Sequence, residues 1–240
     1  MSGLYRTGGL LYKREYAVND FISVKIPTVG EILSREREYY EDVAMIVSTP
    51  SDMIAQLDGA GIDFTSIGEW DLFCLLFREL RERDLSMIFG ELSLSGFEFA
   101  VSRQNGNTVL VDSSSGAVID RAIHDKICRV LRQILGLTKN TKRPGNEEAK
   151  AFMIERAKKK LKRKGKQTRS ALEDMIVALV NTAEFPYDYN SVHDLTICQF
   201  NASLHQIIRK VRFDNLMIGC YAGTVDAKGL DQDEMTWITI

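Results

Sequence analysis

No run of uncharged apolar residues in this chain approaches the roughly 18–20 residues that a membrane-spanning helix requires. No helix is therefore expected to cross a bilayer. The opening stretch, MSGLYRTGGLLYKREY, has no apolar core of the kind that a secretory leader needs. Glycine and proline are sparse, 17 and 4 of 240 residues, which excludes collagen-like and low-complexity chains. The four cysteines, at 74, 128, 198 and 220, are too dispersed for a disulfide framework or a CxxC metal knuckle. No GxxxxGK[ST], HExxH or GxSxG is present. What remains is a chain with 45% hydrophobic and 27% charged residues, enough to bury a core.

The net charge of −2 conceals an asymmetry. From Lys139 to Arg169 there are 13 basic residues against 3 glutamates, a local net of +10, so the remainder carries −12. A basic block of this kind suits nucleic acid, an acidic protein, or the acidic surface of a second copy.

Periodicity and capping signals give the elements. Tyr16 to Ile26 reads as extended. Thr28-Val29-Gly30-Glu31 is a capping box before one helix to about Val47. Thr49-Pro50-Ser51-Asp52 starts a shorter helix that Gly59 and Gly61 end. Ser66 to Glu69 is a second capping box, before a helix apolar on nearly all sides through Leu80, and so expected to be central. Residues 97–119 read as a small antiparallel hairpin sheet turning at Asn105-Gly106. Asp120 caps a helix that Gly136 ends.

After a polar linker at 137–146, Asn146 caps a basic helix to about Lys164. Its apolar stripe is thin: Ala149, Phe152, Met153, Ala157 and Leu161. Ser170 to Glu173 is a third box, and Ser191 with Asp194 opens the longest helical pattern. No internal repeat and no sustained heptads occur. The expected fold is α+β and predominantly helical. A mixed lobe with the hairpin spans 1–140; an all-helical lobe with a C-terminal tail spans 146–240.

Chemical constellations are thin. His124 and Cys128 share a helix face, but two ligands do not make a zinc site, and ordinary packing is the expectation. A Cys–His nucleophile stays open, since such pairs meet in space. The carboxylate groups Glu36/Glu38, Glu41/Asp42 and Asp231/Asp233/Glu234 read as solvated faces. No catalytic residue, metal ligand or cofactor is assigned, and no enzymatic activity is expected. The candidate partner-binding residues are Phe152, Met153, Lys158, Lys159, Lys160, Leu161, Lys162, Arg163 and Lys164 on the basic helix, together with Trp237. The basic block is expected to be a solvated arm. No aromatic residue lies between Lys158 and Arg169 to stack bases, which disfavours nucleic acid. The tail is expected to fold back and dock Trp237, with a hook for another subunit as the alternative.

Two stretches carry a family resemblance. One is IPTVGEIL with YYEDVAMIVSTPSDMIAQLDGAGIDFTSIGEWDLFCLLFREL, at 26–33 and 39–80. The other is SVHDLTICQFNASLHQIIRKVRFDNLMIGCYAG followed by DEMTWI, at 191–223 and 233–238. Together they resemble small tail-region proteins of phages and prophages of Gram-positive bacteria, often described as tail assembly chaperones. The resemblance implies a non-enzymatic helper in the host cytoplasm that coats tape-measure protein and hands it to tail-tube subunits. The opposite charges of the two regions of this chain are separately compatible with head-to-tail self-association along a client. A structural tail, connector or baseplate component of the virion and a nucleic-acid-binding protein are the alternatives.

Overall fold

The computed structural model describes residues 9–103, 106–164, 170–231 and 234–238. It is an α+β structure dominated by helix, with two small antiparallel sheets. The N-terminal sheet pairs β1 (Glu15–Ala17) with β2 (Ser23–Lys25). The single extended stretch expected at 16–26 is thus a hairpin. Asn19 makes the turn, its side-chain oxygen accepting from the backbone N–H of Phe21 and Ile22 at 3.0 and 2.8 Å.

The Thr28 capping box is present: Thr28 Oγ1 accepts from Glu31 N, and Glu31 Oε2 accepts from Thr28 N. The helix behind it is two helices, α1 (Val29–Ser34) and α2 (Glu36–Val47). Arg35 breaks them apart at φ −147°, its guanidinium held by Glu38 and Asp84 at 2.6 Å each. Next come α3 (Ile54–Gly59) and α4 (Glu69–Leu80). Ser66 does not cap α4, because its hydroxyl is spent on Asp63 O. Gly68 occupies that position, and its N–H donates to Asp71 Oδ2. Nor is α4 buried all round: Trp70, Leu72, Phe73, Phe77 and Leu80 face inward, while Leu75 is half exposed.

After α5 (Ser86–Phe89), the second sheet runs β3 (Phe97–Val101), β4 (Thr108–Asp112) and β5 (Val118–Ile119), in that spatial order. Val101 pairs with Thr108, so the connection is 102–107 and longer than a two-residue turn. Asn105 lies outside the described residues. Asp120 Oδ1 accepts from Ile123 N to start α6 (Arg121–Leu135). Gly136 ends it at φ 63°, in the left-handed region open to glycine. The chain closes with α7 (Glu147–Lys164), α8 (Ala171–Val180) and α9 (Ile197–Tyr221).

One hydrophobic cluster draws on residues from both sides of the 137–146 segment. Tyr39, Phe77, Phe97, Leu110 and Leu131 pack with Leu172, Ile176, Ile197 and Phe200. A main-chain bridge between Thr28 and Thr196 adds to this, with Ile197 N donating to Pro27 O at 2.9 Å. A smaller satellite cluster of Ile54, Leu57, Phe64 and Leu72 sits under α7.

Candidate protein-docking surfaces

The polar groups of the interior serve the fold. The C-terminal carbonyls of α2 have no partner within their own helix and need one from elsewhere. Side chains of α6 supply it. His124 Nε2 lies 3.1 Å from Ile46 O, Cys128 Sγ lies 3.3 Å from the same oxygen, and Arg132 Nη2 donates to Val47 O. His124 also stacks on Phe73, with ring centroids 4.3 Å apart. Burial lowers the His124 pKa and pushes the Cys128 thiol up to about 12, so the histidine is neutral and the thiol protonated at neutral pH. This pair is packing, as its spacing suggested, and Cys128 is no thiolate nucleophile.

The paired carboxylates are equally occupied. Asp42 meets Arg83 at 2.8 Å, Glu41 meets Arg37 at 2.8 Å, and Glu36 Oε1 accepts from Leu172 N at 3.1 Å. Asp233 lies outside the described residues. A groove of about 990 Å³ between α4, the second sheet and α6 is lined by Trp70, Asp71, Cys74, Leu75, Asp120 and Arg121. Burial, then the charge of Asp71, raises the Cys74 thiol there to about 11, which removes it as a nucleophile at neutral pH. Among the described residues, no group of three or more His, Cys, Asp or Glu is placed to hold a metal.

The basic helix α7 is built as its sequence suggests. Asn146 Oδ1 accepts from Ala149 N at 2.8 Å, and glutamates fill the first turn while lysines fill the last. It is not a detached arm, however. Met153, Ile154 and Ala157 pack onto the satellite cluster, one turn apart on one face. On the same side Lys150 reaches Asp63 at 2.7 Å and Lys158 reaches Asp58 at 2.5 Å. Asp63 also accepts from the N–H and hydroxyl of Thr65, and Lys150 first and Thr65 second hold its carboxyl down at about 2. Ile154 and Lys150 were missed as contact residues because the thin stripe was drawn through Phe152.

The proposed contact residues are therefore divided by the structure. Met153 and Lys158 face the body of the protein. Phe152 points the other way and is 63% exposed. Its neighbours on that outer face are Arg156 and Lys159, the latter paired with Glu155 at 2.6 Å. Lys160 and Lys162 are exposed, and so is Leu161, which lies on the docked side of the helix but is not part of the satellite cluster. The side chains of Arg163 and Lys164 lie outside the described residues. Trp237 lies on the C-terminal tail. The tail folds back along α9, where Gln206 Nε2 donates to Trp237 O at 2.7 Å and Arg209 Nη2 to Thr236 O at 3.1 Å. The indole itself stays 37% exposed.

Residues 162–240 match the family model described as the YomV second domain. YomV is a Bacillus prophage protein, so the match links this part of the chain to a phage-associated domain family. The matched segment holds α8, α9 and the tail, and leaves out the docked part of α7. No curated protein and no solved structure matches the chain. Among the described residues, no helix is long and apolar enough to cross a membrane.

Proposed function

We propose that this chain is a non-enzymatic phage tail assembly chaperone, which binds tape-measure or tail-tube protein in the host cytoplasm through the outer face of α7. One observation carries the reading. A large aromatic side chain, Phe152, stands in water on a helix whose opposite face is pinned to the body. Fixing the helix in advance lowers the ordering cost of binding, and an exposed aromatic flanked by Arg156 and Lys159 is the composition of an interface anchor. The matching client is an acidic segment with an apolar stripe, which meets charge with charge and Phe152 with its own side chains. The phage-associated match and the resemblance over 26–80 and 191–238 support the setting.

The test is a tagged pull-down from nuclease-treated, phage-producing cells, comparing the native chain with Phe152→Asp. The native chain should recover tape-measure or tube protein, and the variant should lose most of it while keeping its circular dichroism spectrum. Equal recovery by both would refute the assignment of this face. Association lost on nuclease treatment alone would turn the basic residues toward nucleic acid.

A further inference from the structure

The second sheet ends differently on its two sides. On one side β5 is two residues long, and so short an edge offers little to pair with. On the other side β3 runs five residues in unbroken one-to-one register with β4. Bulges, proline and lysine, which blunt edge strands elsewhere, are all absent from its sequence FEFAV and its ladder. The hydrogen bonds fix which of its groups face outward. Ser102 N donates to Asn107 O at 2.9 Å, toward β4, and Asp112 N on β4 donates to Ala117 O, toward β5. Both set the same phase. Glu98 and Ala100 exchange bonds with β4, while Phe97, Phe99 and Val101 turn their main-chain groups away from it. The N–H of Phe97 is already spent on Leu94 O. Among the described residues, nothing bonds Phe97 O, Phe99 N, Phe99 O or Val101 N.

The side chains agree with the main chain. Phe97, Leu110 and Ile119 share the core face of the sheet and are buried. Phe99 lies on that face as well, opposite Leu110 and with its ring centroid 5.4 Å from that of Phe77, yet it is 53% exposed. Val101, next along the same face, is 69% exposed. The core therefore stops short beneath β3, and two apolar side chains stand in water beside the open edge. On the opposite face the strand carries the exposed Glu98 and the small Ala100.

We infer that this edge pairs with β3 of a second copy of the chain, antiparallel about a two-fold axis at Phe99, which joins two three-stranded sheets into one. Three features of the edge name the occupant. Outward N–H and C=O groups on alternate residues are satisfied by an extended strand and not by a helix. The unpaired set is also self-matching. Phe99 exchanges both of its bonds with Phe99 of the second copy, and Val101 N of each copy donates to Phe97 O of the other. All four groups of each copy are used, and the N–H that Phe97 has already spent is not called on. The charge is placed to suit the same register, because Glu98 stands opposite Ala100 of the second copy and the two like charges avoid each other. On the core face Phe99 meets Phe99, and Val101 meets Phe97. Pairing over five residues buries less than the roughly 800 Å² per partner of a standard stable complex, so the dimer is weak and reversible. This inference is independent of the assignment of α7 as the client surface.

Sedimentation of the full chain across roughly 5–500 µM tests it. The native chain should pass from monomer toward dimer over this range. Val101→Pro deletes an outward N–H from each copy and none from the β3–β4 ladder, a position where an edge strand tolerates proline. It should remain monomeric at every concentration with its circular dichroism spectrum unchanged. Ala100→Lys sets a lysine against Glu98 of the second copy twice in each dimer and should tighten it roughly threefold or more, whereas Ala100→Glu should weaken it by a similar factor. Opposite shifts from one position are not the product of a folding defect, and both should shrink in about 0.5 M salt. A native chain that stays monomeric throughout, or a dimer indifferent to Val101→Pro and to the sign of the charge placed at Ala100, would overturn the inference. A monomeric native chain whose Val101→Pro variant loses tape-measure or tube protein in the pull-down would also overturn it, and would give the edge to a client strand.

Discussion

Replacing Leu57 with alanine should release α7 before it disturbs the main core. Leu57 is 5% exposed and belongs to the satellite cluster, where it packs with Ile54, Phe64 and Leu72 beneath Met153, Ile154 and Ala157. Truncating a buried leucine costs about 2–5 kcal/mol, and least where the surroundings can collapse. This cluster lies near the surface under a single helix, so the expected loss is about 2–3 kcal/mol. The ion pairs Lys150–Asp63 and Lys158–Asp58 are too exposed to compensate. A loss of that size raises the open population of α7 by roughly 30- to 160-fold. Hydrogen exchange followed by mass spectrometry reads this directly: amides in 150–160 should exchange faster by that factor, while those of α6 hold their rates. Leu75→Ala, at a half-exposed site outside the cluster, should leave both unchanged. Equal acceleration in α6 and α7, or none in α7, would refute the division into a main and a satellite cluster.

Burial holds the pKa of His124 below its usual 6.5. The unfolded chain therefore binds a proton that the folded chain resists, and stability should fall as pH drops below about 6.5, by up to about 1.4 kcal/mol per pH unit until the folded pKa is reached. Urea melts at pH 7.5 and 5.5 should show this for the native chain and much less for His124→Gln. Arg132→Met should cost about 3 kcal/mol in the same assay, because it strips Val47 O of its donor and leaves Glu69 with Lys139 alone. Thr196→Val removes half of the capping box that starts α9, whose Oγ1 accepts from Gln199 N at 3.1 Å. It should lower stability by about 1 kcal/mol, or Tm by about 2–4 °C.

Much of this fold is legible in local chemistry. The caps at Thr28, Asp120 and Ser170 are satisfied within four residues, so the sequence contains both partners. The strands of the second sheet follow from alternation around a glycine turn. Features decided at long range are not legible. Nothing near Arg35 announces that Asp84 will help hold it where the helix breaks. The capping of α2 by α6 joins residues about eighty positions apart. On α7, spacing alone does not choose between Phe152 and Ile154 as the inward residue; the position of α3 does. Thr196 with Gln199 was overlooked because Ser191 with Asp194 offered an equally good local start, and that segment forms only a short 3-10 turn.

The proposed chaperone role requires that this chain serve phage assembly without entering the particle. Mass spectrometry of two fractions from nuclease-treated producing cells tests it most directly: purified particles, and the native chain captured from soluble lysate. Absence from particles, with tape-measure or tail-tube protein in the capture, is the expected result. Stoichiometric presence in the particles would contradict it and make the chain a structural component of the tail.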